Sequence, residues 1–292
     1  MIKEIEAKSI LLYNKRPSTW FGVHYYLNIY RGCSHGCIYC DSRSECYKIE
    51  DFDKDISIKT NAIDLLRKEL AKKRYKETIG FGSTSDAYLP IEQSYELTRK
   101  ALELIKEYHF PVFILTKSNL VLRDIDLLES INNQNYACVA FTITTTDDKL
   151  ASFIEPNAPL PSKRLEAMAI LSSLGIKCGI VVMPMLPFIT DNKENITDIV
   201  EKGKKYGAGF IYATFSVTLR DRQRDYFYSK ISPDLKEKYV DKYKNYYNCT
   251  VPNYSKLKEY FMKLCKENNI STSMPSYDHE NNTIQLNIFD VE

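Results

Sequence analysis

Several features are missing from this chain of 292 residues, and each absence narrows what it can be. No apolar run reaches the roughly 18 residues that a membrane-spanning helix needs, so no membrane association is expected. The opening Met1-Ile2-Lys3-Glu4-Ile5-Glu6 is charged and lacks a secretory pattern, which points to a cytoplasmic protein. Charge of one sign is not in excess: 40 Lys and Arg against 38 Asp and Glu leave a formal net charge of +2. That balance neither demands nor excludes nucleic acid, and binding to it would need a local patch. There is no internal repeat beyond an alternation of strand-like and helix-like runs, and no long linker. A disulfide framework is not expected either. Of the eight cysteines only Cys33, Cys37 and Cys40 are closely clustered, and a reduced compartment fits that usage.

What is present is a regular alternation. Strand-like runs fall at 25–30, 78–82, 111–116, 137–144, 176–183 and 210–215. Helical periods fall between them at 61–74, 91–108, 123–131, 162–174 and 193–206, with Gly175 placed to cap the fourth. Six β-α units in a row predict a parallel sheet with helices outside. Six are too few for an eight-fold barrel and suit an open, partial one, with chemistry at the C-terminal ends of the strands. The expected organisation is an N-terminal extension over 1–20, the partial barrel over 21–216, a helical extension over 217–274 and a tail over 275–292. Tyrosine and lysine dominate 235–264, which reads as one or two amphipathic helices covering the barrel.

The densest signal is Arg31-Gly32-Cys33-Ser34-His35-Gly36-Cys37-Ile38-Tyr39-Cys40, with spacing C-x3-C-x2-C. Thiolates are soft ligands that suit iron–sulfur clusters. Four cysteines normally close a 4Fe-4S cube, and three leave one iron without a protein ligand. An open iron can take an amine and a carboxylate, which S-adenosylmethionine offers. Reduction of the cluster could then cleave the sulfonium and release a carbon radical. A zinc knuckle completed by His35 or Cys46 is the competing reading, but zinc sites usually come as paired motifs with other spacings. Buried thiols without a ligand are the third. Cys33, Cys37 and Cys40 are therefore expected to hold a cluster.

This loop resembles that of the radical S-adenosylmethionine (radical SAM) superfamily, and the wider pattern is similar to its spore-photoproduct-lyase-like branch, also called DNA repair photolyase-like. Four blocks carry the likeness. They are Tyr30-Arg31-Gly32-Cys33 through Tyr39-Cys40-Asp41; Gly82-Ser83-Thr84-Ser85-Asp86-Ala87-Tyr88 with Pro90 and Glu92; Thr116-Lys117-Ser118 with Arg123-Asp124; and Glu155-Pro156 with Arg164-Leu165-Glu166. The resemblance implies an α/β fold, a partial (β/α)6 radical-SAM barrel with a C-terminal helical extension. It implies a lyase-like enzyme of DNA repair that uses a 4Fe-4S cluster and S-adenosyl-L-methionine to make a 5′-deoxyadenosyl radical. An electron donor such as flavodoxin or ferredoxin and a DNA lesion as substrate are implied with it.

The same resemblance suggests roles for single residues. Tyr39 would lie near the adenine of the cofactor, Ser83 or Thr84 would contact its methionine part, and Asp86 would structure that loop. Lys117 would meet the cofactor carboxylate, Arg164 would clamp the same carboxylate or orient Glu155, and Met183 would lie beside the adenine. Plain structural roles stand against each: loop packing for Tyr39, a turn for 83–86, a solvated lysine for Lys117, an exposed helix start for Arg164 and core for Met183. One departure matters. Spore photoproduct lyases carry a hydrogen-donating cysteine near the end of strand two, where this chain has Ser83, and that puts repair by that route in doubt. Cys46, Cys138 and Cys178 are the candidate substitutes, although a small buried apolar role suits each of them.

Two further signals lie toward the C-terminus. Gln285-Leu286-Asn287-Ile288-Phe289 resembles the peptide by which bacterial repair proteins dock on the sliding clamp, with Gln285, Leu286, Ile288 and Phe289 as contacts. A final strand sealing the barrel base fits the same alternation. Arg220, Arg222 and Arg224, followed by Tyr226, Phe227 and Tyr228, read either as a site for phosphates and bases or as a solvated helix with an aromatic core face. Two other functions remain open. One is a radical enzyme acting on RNA, a peptide or a small metabolite. The other is a clamp-tethered nucleic-acid-binding iron–sulfur protein without radical turnover.

Overall fold

Six parallel strands form the centre of the fold: β1 (Tyr25–Leu27), β2 (Ile79–Phe81), β3 (Val112–Thr116), β4 (Ala137–Thr142), β5 (Lys177–Val182) and β6 (Phe210–Ala213). The structure, a computed structural model, describes residues 1–15 and 22–277. The clamp-like peptide at Gln285–Phe289 lies outside the described residues. The strands run in chain order across the sheet, each parallel to its neighbour, and the strand Leu11–Tyr13 pairs antiparallel on the β1 edge.

Both faces of the sheet are buried. Ile79, Ile114, Val139, Ile180 and Ile211 face the outer helices, while Phe113, Cys138, Ala140, Val181 and Phe210 fill the inner face. Two covered faces explain why these strands read as continuous apolar runs rather than alternating ones. The outer helices are α1 (Ala62–Leu70), α2 (Leu97–Glu107), α3 (Ile125–Gln134), α4 (Pro161–Ser173) and α5 (Lys193–Lys205). Past α4, Gly175 takes φ +77 while its N–H bonds Ser172 and that of Ile176 bonds Leu171. Those two bonds satisfy carbonyls that the helix end would leave open.

The run 91–108 is not one helix. It divides into a short turn of helix, Glu92–Tyr95, and α2, because Glu96 takes φ 51. The break lets the Glu92 carboxylate turn back and accept the N–H of Thr98, 3.0 Å from each of its oxygens, and that of Arg99 at 3.3 Å. An acid at a helix start satisfies open donors and suits the helix dipole.

The C-terminal region is helical as expected but adds a hairpin that was not. After β6 comes a hairpin of Ser216–Thr218 with Asn248–Thr250, enclosing α6 (Asp221–Lys230) and α7 (Pro233–Tyr243), and then α8 (Tyr254–Glu267). Only α8 lies against the barrel's outer helices: Tyr260 shares a 2.7 Å hydrogen bond with Thr197 of α5, and Leu257, Phe261 and Cys265 join the main core. The helices α6 and α7 instead share a core with the cysteine loop, where Phe227, Ile231, Tyr239 and Tyr243 meet Cys37, Ile38 and Tyr39. At the opposite end, Met274 and Tyr277 pack on the inner face, and Tyr136 Oη donates to Pro275 O at 2.9 Å. No described helix is long and apolar enough to cross a membrane.

Candidate active site

The cysteine loop leaves the sheet after β1 and is pinned on both flanks. A small sheet of Ile2–Ile5, Ile56–Lys59 and Tyr30–Arg31 supports its start, where Cys33 N–H donates to Phe52 O at 3.0 Å. Gly32 takes φ +86, and a Cβ there would sit 2.3 Å from Asp55 O, so only glycine fits. Further on, Ile38 N–H bonds Ile154 O and Asn157 N–H bonds His35 O, both at 3.0 Å.

Cys33, Cys37 and Cys40 line one wall of a cavity of about 400 Å³. The strand ends supply a second: Ser83, Thr84 and Asp86 after β2, Thr116 and Lys117 at β3, Thr142 at β4, Met183 and Pro184 after β5, and Thr214 after β6. Burial pushes the Cys33 thiol up to about 12, with Asp86 and Cys40 adding to the shift. Burial also raises Cys37 and Cys40, against the opposing influence of the Lys117 ammonium. Lys117 itself is disfavoured as a cation by burial, but Cys37 and Glu155 more than offset this and raise its pKa.

Among the described residues no three His, Cys, Asp or Glu side chains converge on one ion position. The thiols line a shared cavity instead. That donor set fits a multinuclear iron–sulfur group, which takes its thiolates on separate irons and deprotonates them on binding.

Two buried networks hold the strand-end wall, and they join the four sequence blocks to one another. In the first, Tyr30 Oη donates to Glu92, Arg123 bonds Glu92 at 2.7 Å and Asp124 at 2.8 Å, and Tyr88 Oη donates to Asp124 at 3.1 Å. In the second, Tyr39 Oη and the Arg164 guanidinium both donate to Glu155, and Arg164 also reaches Thr142 O at 2.8 Å. Burial opposes ionisation of Glu155, yet Arg164, Lys117 and Tyr39 more than offset it and hold its carboxyl below the usual range. Asp86 is the staple between loops. It accepts Tyr88 N–H at 2.9 Å, Thr116 Oγ1 at 2.7 Å and Lys117 N–H at 2.8 Å, and His35 Nε2 lies 3.2 Å away. Burial raises its pKa, but His35 and the two backbone N–H groups more than reverse this and keep it ionised.

The residues singled out in the sequence divide in two. Tyr39, Ser83, Thr84, Lys117 and Met183 all line the cavity with the three cysteines. Ser83 and Thr84 each donate to Asn28 Oδ1, at 2.9 and 3.3 Å. Arg164 is fully buried and bonded to Glu155, so it stands behind the wall rather than in it. Cys46 is exposed on the outside of the loop, Cys138 faces the barrel interior near its base, and Cys178 packs toward the outer helices; none of the three lines the cavity.

The basic and aromatic set after β6 is not a free patch: Phe227 gives the helix the aromatic core face expected of it, and the three arginines are all engaged. Arg220 pairs with Asp41 at 2.6 Å, Arg222 donates to the carbonyls of Arg43, Ile49 and Glu50, and Arg224 donates to those of Leu219, Asn245 and Tyr246. Sequence reasoning missed that Thr218, Tyr247 and Asp41 complete the cavity wall. It also missed Asn28, whose partners lie 55 and 56 residues away. Local pattern carries no trace of either.

The profile of the Radical SAM superfamily matches residues 27–203. An uncharacterised protein of Mycobacterium tuberculosis is 30% identical over 251 residues, covering 82% of this chain and 73% of its own length. One from Methanocaldococcus jannaschii is 35% identical over 192 residues, covering 65% of this chain and 70% of its own length. A spore photoproduct lyase complexed with dinucleoside spore photoproduct has the same fold, with a TM-score of 0.66 at 14% identity, covering 91% of this chain and 79% of that one.

Proposed function

Because the chain belongs to the radical SAM superfamily, we propose that it is a lyase-like enzyme that reductively cleaves S-adenosylmethionine and acts on a nucleic-acid lesion. The observation that carries this reading is the single cavity that gathers Cys33, Cys37, Cys40, Lys117 and the polar strand ends. When bound there, a 4Fe-4S cluster with S-adenosylmethionine supplies a 5′-deoxyadenosyl radical. The three cysteines would hold the cluster. The Lys117 ammonium stands beside Cys37 and Cys40, where a carboxylate brought next to the cluster would meet it. Asn28 orients the hydroxyls of Ser83 and Thr84 at the rim. Tyr39 is held by Glu155, so its ring stays as a fixed wall beside the thiols, 5.7 Å from Lys117 Nζ.

A macromolecular substrate is favoured by what adjoins the cavity. Thr214, Ser216, Thr218 and Tyr247 are shared with a second, open cavity of about 860 Å³ between β6, the hairpin and α8. Its walls carry Tyr247, Tyr254 and Met262, which are partly exposed, together with Lys258 and, among the described residues, no carboxylate. Aromatic faces beside a cation suit bases and phosphates. The electron would come from a flavodoxin- or ferredoxin-type donor in a reducing cytosol.

Anaerobic reconstitution with iron and sulfide, then reductant and S-adenosylmethionine, tests the reading through 5′-deoxyadenosine. Wild type should form it and Cys37→Ser should not; a reconstituted wild type that never forms it overturns the proposal. Deuterium transfer from labelled DNA lesions into 5′-deoxyadenosine tests the substrate, and transfer from RNA or peptide alone would move the assignment there.

A further inference from the structure

Four consecutive residues at the start of α6 all reach the cysteine loop. Arg220 pairs with Asp41, and Asp221 accepts Ser44 Oγ at 2.7 Å. Arg222 donates to Arg43 O at 2.9 Å, and Gln223 Nε2 donates to Tyr39 O at 3.1 Å. On a regular helix, neighbours in sequence point in different directions and do not converge on one partner. They converge here because the backbone is not regular: Arg220 is extended and Asp221, a non-glycine residue, takes φ 38. Backbone held in a sparsely populated conformation persists only where its surroundings impose it.

Gln223 is the centre of this contact. It is fully buried, and both ends of its amide are used: Oε1 accepts Arg220 N–H at 3.0 Å while Nε2 serves Tyr39 O. A buried amide is costly unless so paired. Its acceptor on the loop is the carbonyl of Tyr39, one of the two residues between Cys37 and Cys40. The carbonyl of Cys37 is served in turn by Arg43 Nη2 at 3.3 Å, and the Arg43 guanidinium lies 3.7 Å over the ring of Tyr226 from the same helix. The Tyr39 peptide is thus held directly from the C-terminal extension, through a contact 184 positions apart in the chain, and the Cys37 carbonyl indirectly, through Arg43.

We propose that Gln223 is a positioning residue for the iron–sulfur cluster, fixing the Tyr39 peptide and so the spacing of the Cys37 and Cys40 thiolates. The proposal rests on the reading that those cysteines ligate a cluster. Groups that orient metal ligands without touching the metal typically change its retention tenfold or more when lost.

The test uses full-length reconstituted protein. Gln223→Met keeps the volume and removes both hydrogen bonds. Three quantities are read: iron loss to a chelator, the electron paramagnetic resonance spectrum of the reduced cluster, and the unfolding midpoint of the apoprotein. The expected result is iron loss about tenfold faster, with altered g-values. A purely structural role would lower the midpoint but leave the spectrum of the bound cluster unchanged. Should Gln223→Met fail to fold, Arg222→Ala carries the same readouts, since Arg222 is only half-buried and serves the same loop. A variant that matches wild type in spectrum and iron retention overturns this inference alone. A wild type that takes up no iron at the three cysteines overturns the functional reading, and this inference with it.

Discussion

The cavity has two walls, and they are built on different principles. The strand-end wall is held by guanidinium groups against buried carboxylates: Arg123 with Glu92 and Asp124, and Arg164 with Glu155. The C-terminal wall is held mainly by guanidinium groups against backbone carbonyls near the surface, as with Arg222 and Arg224. The first arrangement is all-or-none, because a carboxylate left alone away from water is strongly penalised. The second is graded, because a carbonyl that loses a donor near solvent can take water instead. A rigid face under the strand ends thus meets a softer face that the extension closes over the loop.

The largest effects should follow from breaking the first wall. Arg123→Ala leaves Glu92 and Asp124, both with side chains 0% exposed, short of their main cation, although Arg99 still reaches Asp124 at 3.1 Å. Arg164→Ala leaves Glu155 without its ion-pair partner, with the Tyr39 hydroxyl and the Lys117 charge remaining. Each is expected to cost about 3–5 kcal/mol in urea unfolding. Adding Glu92→Gln and Asp124→Asn to Arg123→Met should restore much of the loss, because the buried charges are then gone. If the single variants cost under about 1 kcal/mol, as surface pairs do, the contrast between the walls fails.

The second wall should give less. Arg224→Ala removes donors from three carbonyls and is expected to cost about 1 kcal/mol, with little change in the far-ultraviolet spectrum. A loss as large as that of Arg123→Ala would show both walls to be equally dependent on their arginines.

A pH measurement sharpens the comparison further. Asp191 lies beside Tyr239 and Tyr243 on the C-terminal side, and burial pushes its pKa from 3.8 up to about 6, opposed only by backbone N–H groups. Between those values the folded chain keeps a proton that the unfolded chain has released. Stability therefore falls as pH rises through that window, and the penalty is fully present above it. Asp191→Asn should raise the unfolding midpoint at pH 7 and match wild type near pH 4; equal midpoints at both would remove the effect.

The two walls also differ in how far they could be read from the chain. Tyr39, Ser83, Thr84 and Lys117 sit at the ends of strands or within the cysteine loop, and strand ends of an open α/β sheet face one side. Glu92 and Arg123 were recognisable as members of a pattern, but not as partners. The break at Glu96 hid inside a good helical period, because what stops the helix is the carboxylate of Glu92 finding Thr98 and Arg123. Arg220 and Arg222 looked like a phosphate patch for a similar reason: charge and aromatic content are visible locally, while the carbonyls that occupy them are not.

By itself the sequence determined the α/β alternation, the six parallel strands and the thiol loop, because apolar period and ligand spacing are properties of short segments. Only the tertiary structure decided that α6 closes over that loop, that Arg164 stands behind the wall, and that Cys46, Cys138 and Cys178 stay outside the cavity. The first of these depends on buried donors and acceptors that find each other across 184 positions, as Gln223 and Tyr39 do, and all of them depend on packing that no local pattern encodes.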